Sequence, residues 1–218
     1  MADDPLVARL KALDVCAVSD ALDRLKLPAS VSGIAPQTVR ARIAGRAVTV
    51  KFAAGARTGA RHACTAAVEA GGPGAVVVIE QKTGVVAAGW GGVLSRAARR
   101  RGIAGAIVDG PARDIDEALE IGFPVYARSC TARTARGRIY EAETGGPVVI
   151  GDVTVEPGDY ALADSSGVAF IRAADIEAVL AAAEAIAARE AAMAVQVEAG
   201  EPVSAVMGQG YEHMLQSK

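Results

Sequence analysis

The chain has 218 residues, enough for one large domain with a sizeable core. Half of it is apolar but only 4% is aromatic, so its core draws on Ala, Val and Gly, a composition that suits an α/β domain better than an aromatic-rich binding surface. A formal charge of −2 predicts no footprint for nucleic acid. Cys16, Cys64 and Cys130 are odd in number, widely spaced and lack a Cys-x-x-Cys pair, so they read as buried reduced thiols and not as a disulfide frame or zinc site. The start, MADDPLVARL, carries acid where a secretory signal carries base. The alanine-rich stretch 173–199 is broken by Asp175, Glu177, Glu184, Arg189 and Glu190, which argues for an ordinary helix and against a membrane span. A cytoplasmic protein with no membrane partner is the expectation.

In chain order, 5–13 and 18–25 read as helices, the second with Ser19 or Asp20 as its cap. Arg46–Phe52 alternates like a half-buried strand, a small-residue loop follows, and Arg61–Ala70 resumes helical character before Gly-Gly-Pro-Gly at 71–74. Ala75–Ile79 is a short apolar run, as in a strand covered on both faces, and Val85–Ala88 predicts a brief second strand. Next come a helix over 93–101, a strand over Ile103–Val108, a turn at Asp109-Gly110-Pro111 and a helix over 114–121. Phe123–Ala127 is another strand, and 128–138 an Arg-rich connection. Hairpin-like strands then follow at Pro147–Ile150, Val153–Val155, Tyr160–Ala163 and Val168–Ile171. A long helix over 173–199 closes the domain, and the tail from about 200 to 218 reads as an arm. The whole predicts one α/β domain, residues 1–218, with a mixed sheet and a C-terminal helix.

The stretch Trp90–Glu117 carries the chemistry. Gly91 and Gly92 let a ligand approach the backbone, and the helix after them opens with the amides of Val93 and Leu94, which have no intrahelical acceptor and favour an anion such as a carboxylate. Glycines at this turn also serve packing alone. One strand later, Arg113 offers a planar fork for a carboxylate and Asp114 offers hard oxygen for magnesium or manganese. Asp114-x-x-Glu117 equally fits a capping box, in which case Arg113 is a surface residue. The spacing alone leaves both readings open. There is no dinucleotide fingerprint and no P-loop, and Ser165-Ser166 has no histidine partner suggesting a hydrolase.

The runs GWGGVLSRAARRRGIAGAIVDGPARDIDE, GFPVYAR and PGDYALADSSGVAFI resemble the RraA-like family, named for the regulator of ribonuclease E activity A, and its 4-hydroxy-4-methyl-2-oxoglutarate/4-carboxy-4-hydroxy-2-oxoadipate aldolase branch, over roughly residues 15–200. The resemblance implies a swivelling β/β/α fold and a homotrimer or homohexamer. It also implies a pyruvate aldolase site at the subunit interface that depends on Mg2+ or Mn2+ and decarboxylates oxaloacetate. Carried over by position, Arg113 binds the pyruvate carboxylate, Asp114 ligates the metal, and Val93 and Leu94 offer amides to the substrate. The family's second metal-holding aspartate falls on Gly92, which has no side chain to do this. Asp116, Glu117 or Asp109 are candidates to supply the missing carboxylate.

Three further residues follow from the same comparison. His62 lies near an asparagine of the family's pattern and reads either as a proton carrier or as a hydrogen-bonded residue at a helix start. Arg61 could recognise a second substrate carboxylate. Glu190 lies near an acid donated by an adjacent subunit, and reads otherwise as part of a solvated helix face. Two other functions stay open at this point: a non-catalytic regulator of a ribonuclease, and an aldolase for a sugar-derived hydroxy-oxo acid.

Overall fold

Two aspartates start the chain's first helices. The Asp4 carboxylate accepts the Leu6 N–H at 3.0 Å to open α1 (Pro5–Ala12), and Asp14 accepts the Ala17 N–H at 2.8 Å to open α2 (Val15–Arg24). The second helix therefore begins earlier than the Ser19 or Asp20 cap predicts; Ser19 instead shares a hydroxyl hydrogen bond with Ser30. The computed structural model describes residues 4–28, 30–57 and 62–208. The remaining elements are β1 (Ala35–Pro36), β2 (Ile43–Ala54), α3 (Thr65–Ala70), β3 (Val76–Glu80), α4 (Gly92–Arg100), β4 (Gly105–Ala112), α5 (Ile115–Glu120) and β5 (Val125–Cys130). They continue with β6 (Ile139–Thr144), β7 (Val148–Ile150), β8 (Val153–Val155), β9 (Tyr160–Asp164), β10 (Gly167–Ile171), α6 (Ile176–Glu198) and α7 (Val203–Val206).

β2 organises the sheet. Its first residues pair antiparallel with β9, its middle runs parallel to β3, and past a register shift at Lys51/Phe52 its end pairs antiparallel with β6. β3, β4 and β5 continue in parallel, giving the order β1-β5-β4-β3-β2-β9-β10. The segment after α2 then ties the two ends together: Val31 bridges to Val168 on β10, and Ala35–Pro36 pair with β5. The result is a curled, nearly closed mixed sheet with a C-terminal helix, the α/β arrangement expected from the resemblance.

Three buried clusters hold it. α3, α4 and α5 cover one face, where Val50, Ile79, Trp90, Leu94, Val108 and Phe123 pack together. The β7–β8 hairpin plugs the other face through Val148, Ile150, Val153 and Val155 against Val78, Ile107 and Tyr126. α1, α2 and α6 pack on β9 and β10 through Leu10, Leu22, Leu162 and Leu180. α6 is buried only between Ile176 and Ile186; its last turns leave Val195 and Val197 exposed.

Several expectations need correction. Val85–Ala88 forms no strand, because the carbonyls of Val85 and Ala87 are taken by the Gln81 side-chain amide instead of a neighbouring strand. Asp109-Gly110-Pro111 is not a turn: β4 runs through it with a register shift between Val108 and Pro111. β6 was missed within and beyond the Arg-rich connection. Of the cysteines, all free, only Cys64 is buried. Among the described residues no helix is long and apolar enough to cross a membrane.

Gly45 marks where β2 meets the Gly71–Gly74 turn: a Cβ there would lie 1.9 Å from the Gly74 carbonyl oxygen and 3.1 Å from Val76 Cγ2. Since backbone stands in the way, Gly45→Ala should cost about 2–3 kcal/mol in urea unfolding. A loss below about 0.5 kcal/mol would show that this junction yields easily.

Candidate active site

The parallel strands bring the two glycine turns of the sequence side by side. Residues 89–90 lie along the end of β4, with the Gly89 N–H donating to the Pro111 carbonyl (2.8 Å), the Arg113 N–H donating to the Trp90 carbonyl (3.0 Å), and a parallel bridge between Trp90 and Ala112. Trp90 anchors this seam. Its indole stacks on Phe123 at 6.1 Å and its Nε1–H donates to the Ser95 hydroxyl at 2.9 Å. The Ser95 hydroxyl in turn donates to the Gly91 carbonyl at 3.1 Å, so the first turn of α4 is held from inside.

Asp114 stands at the junction of β4 and α5 with φ 57° and ψ 42°, the left-handed region that aspartate tolerates better than most side chains. That backbone turns its carboxylate away from α5, whose amides it does not cap. Oδ2 accepts the Gly92 N–H at 3.0 Å and the Arg113 Nε–H at 3.2 Å. The capping-box reading therefore fails, and Asp114 spans the gap to α4. Arg113 keeps its two terminal nitrogens without a partner among the described residues.

Gly92 explains how the site accommodates a missing side chain. A Cβ on Gly92 would lie 1.9 Å from Glu117 Oε2 and 3.1 Å from Asp114 Cβ; one on Gly91 would lie 2.9 Å from Asp114 Oδ2. The space a residue-92 side chain would enter is thus filled by the Glu117 carboxylate, delivered from α5. Glu117 is held by a short hydrogen bond from Arg96 Nε, and an Arg96 terminal nitrogen also lies 3.9 Å from Glu120. Two carboxylates, Asp114 and Glu117, therefore converge on one α-carbon.

The open side of this seam is a cleft of about 120 Å³. Gly91, Gly92, Val93 and Leu94 form one wall, with Val93 78% exposed at the rim and Leu94 buried, and Arg113 and Asp114 form the floor. His62 closes the opposite side, exposed, with Nδ1 3.1 Å from the Ala63 carbonyl and its own carbonyl taken by the Thr65 hydroxyl. Behind it Cys64 is buried with φ 65°, its N–H donating to Glu141 at 2.5 Å; burial, and then the Glu141 charge, push its thiol well above the usual range. Sequence reasoning missed Phe52, Thr134 and Arg136, which also line the cleft.

Other candidates fall elsewhere. Asp109 is buried on another side of β4, where Arg128 Nε (2.6 Å) and the Gly151 N–H (2.6 Å) saturate it, so it is removed from the carboxylate candidates. Asp116 is exposed and does not line the cleft. Glu190 is half-buried on α6, its carboxyl pushed up by burial and then by Asp20 and Asp14 of the same chain, away from this chain's own cleft. Arg61 lies outside the described residues. Among those residues no group of three His, Cys, Asp or Glu side chains is placed to hold a metal by itself.

A curled mixed sheet with an anion-suited cleft at the carboxyl ends of its parallel strands defines a small-molecule-binding α/β domain. Residues 15–170 match the family described as RraA-like, "Aldolase/RraA", and the chain belongs to that family. It is 30% identical over 179 residues, 82% of each chain, to a Halalkalibacterium halodurans protein named "Putative 4-hydroxy-4-methyl-2-oxoglutarate aldolase". It is 29% identical over 155 residues to Legionella pneumophila DlpA; that stretch is 71% of this chain but only 25% of DlpA. The crystal structure of Streptomyces coelicolor RraAS2, described as an unusual member of the RNase ES inhibitor RraA family, superposes with a TM-score of 0.82 at 24% identity, covering 90% of this chain and 100% of that one, a likeness of fold alone.

The left-handed backbone at Asp114 separates structural from chemical roles. Asn tolerates that conformation and Ala does not, so in urea unfolding Asp114→Asn should stay close to the wild type while Asp114→Ala falls about 1 kcal/mol below it. Equal stabilities would mean the backbone relaxes out of the left-handed region.

Proposed function

We propose that this chain is a divalent-metal-dependent lyase that cleaves a 4-hydroxy-2-oxo acid to pyruvate and a carbonyl compound, with oxaloacetate decarboxylation as a second reaction. The observation that carries this reading is Asp114 turned out of its own helix and set beside Arg113 at the mouth of the α4 amides. The aldolase name of the Halalkalibacterium relative supports it.

Asp114 and Glu117 would hold the cation. Paired carboxylate oxygens suit Mg2+ or Mn2+, which keep several waters and do not require a cage of protein ligands. The carboxylate standing over Gly92 is the observation of fit, since it fills the place of the family's second acid. Asp116, on the same first turn of α5, is the reserve candidate. When bound, the cation supplies Lewis-acid stabilisation of the charge left on the keto oxygen as the C–C bond breaks.

The chain's own groups do the rest. The free edge of the Arg113 fork grips the substrate's 1-carboxylate, and the Val93 and Leu94 amides at the positive end of α4 meet the same group. Together they fix the ketone so that the bond to be broken stands out of its plane. Phe52, Trp90 and Leu94 restrict water around the carbon that becomes an enolate. His62 faces the same space and takes the proton of the 4-hydroxyl as general base. In this reading Arg61 lies at the same rim, and Glu190 serves a neighbouring subunit of a trimer or hexamer.

Pyruvate release from oxaloacetate and from 4-hydroxy-2-oxo acids should require Mg2+ or Mn2+ and stop with a chelator. Arg113→Lys, which keeps the charge but loses the fork, should lower kcat/KM by about two orders of magnitude. No pyruvate with any metal or 2-oxo acid would favour the non-catalytic regulator instead. Titration with Mn2+ tests Glu117 separately: Glu117→Gln, and Gly92→Ala through displacement of Glu117, should each weaken binding about tenfold. Unchanged affinity in both variants would remove Glu117 from the metal site.

A further inference from the structure

Arg136 is the cleft residue that the proposed reaction leaves without a task. It sits in the turn before β6, and that turn is fixed from three sides. The Arg133 carbonyl accepts the Ala88 N–H at 3.0 Å, the Arg138 carbonyl accepts the Gly55 N–H at 2.7 Å, and the Arg136 N–H donates to the Thr134 hydroxyl at 3.3 Å. β6 begins opposite the end of β2, where Ile139 pairs with Ala54. Arg113 follows the end of β4, with β3 between β4 and β2. The two arginines therefore stand over strands two places apart, roughly 10 Å at ordinary strand spacing.

Charge distinguishes them as well. Arg113 is met by Asp114, whereas Arg136 is exposed and has no carboxylate within ion-pair distance among the described residues. A 2-oxo acid held by its 1-carboxylate at Arg113 extends along the cleft toward Arg136. A chain of about five carbons ending in a second carboxylate spans that gap and neutralises the unpaired guanidinium; the same chain ending in a methyl group leaves it uncompensated.

We infer that Arg136 is the specificity-determining residue of this cleft, gripping the far carboxylate of a dicarboxylic 2-oxo acid while Arg113 holds the near one. This rests on the 2-oxo acid reading above and assigns to Arg136 the part that the sequence offered to Arg61. The inference concerns binding only, so it is testable without turnover.

Two five-carbon probes that lack a 4-hydroxyl isolate it: 2-oxoglutarate, which ends in a carboxylate, and 2-oxopentanoate, which ends in a methyl group. Calorimetric titration of each into the full-length Mn2+-loaded protein should show 2-oxoglutarate binding at least about tenfold tighter, as expected for one charge-assisted fork. Arg136→Gln should erase that preference and leave 2-oxopentanoate affinity unchanged, while Arg113→Gln should weaken both. A wild type that binds both probes equally, or an Arg136→Gln variant that keeps the preference, overturns the role of Arg136 and leaves the 2-oxo acid site standing. A wild type that binds neither overturns both.

Discussion

One hydrogen bond organises this site: the Gly92 N–H to the Asp114 carboxylate. It crosses from the start of α4 to the end of β4, joining two turns that are far apart in sequence but adjacent in the parallel sheet. Both ends are constrained. At one, Asp114 must hold a backbone that few residues accept; at the other, the glycines must leave room for carboxylates. The Trp90–Ser95–Gly91 chain of contacts braces the α4 side, so the Val93 and Leu94 amides are presented by a rigid turn. Rigidity matters because groups that stabilise developing charge do so best when already in place.

The relation of Gly92 to Glu117 gives the departure from the family's pattern a physical meaning. An acid side chain at position 92 and the Glu117 carboxylate would compete for the same volume, and this chain has resolved the conflict by keeping only the second. Arg96 stands behind Glu117 as its counter-charge, so the arrangement is stable in the protein alone. Being half-exposed, the pair holds the carboxylate in position more than it contributes to the stability of the fold.

Much of this was readable from residue order. The glycine turns, the basic helix, the apolar strand and the Arg-Asp pair appear where their chemistry predicts, because caps, breaks and periodicities are local signals. What stayed illegible depended on distant contacts. Asp114-x-x-Glu117 fits a helix cap and a ligand pair equally well on spacing, and only the backbone angle at Asp114 decides between them. Asp109 resembled a free acid until Arg128 and Gly151 proved to saturate it. Arg136 is one of several arginines in a featureless connection, and nothing but the three-point anchoring of its turn distinguishes it. β6 escaped notice although Ile139–Thr144 has some alternation, since its acidic residues suggested a loop.

The short bridge from Val31 to Pro36 has a consequence beyond shape. By covering β10 at one margin and β5 at the other, it withdraws the backbone donors and acceptors that a long open sheet would offer to a second chain. Strand-by-strand templating, the usual hazard of so valine-rich a sheet, is blocked at both margins by a few residues. Any assembly of such chains must then use side-chain surfaces and not shared main-chain ladders.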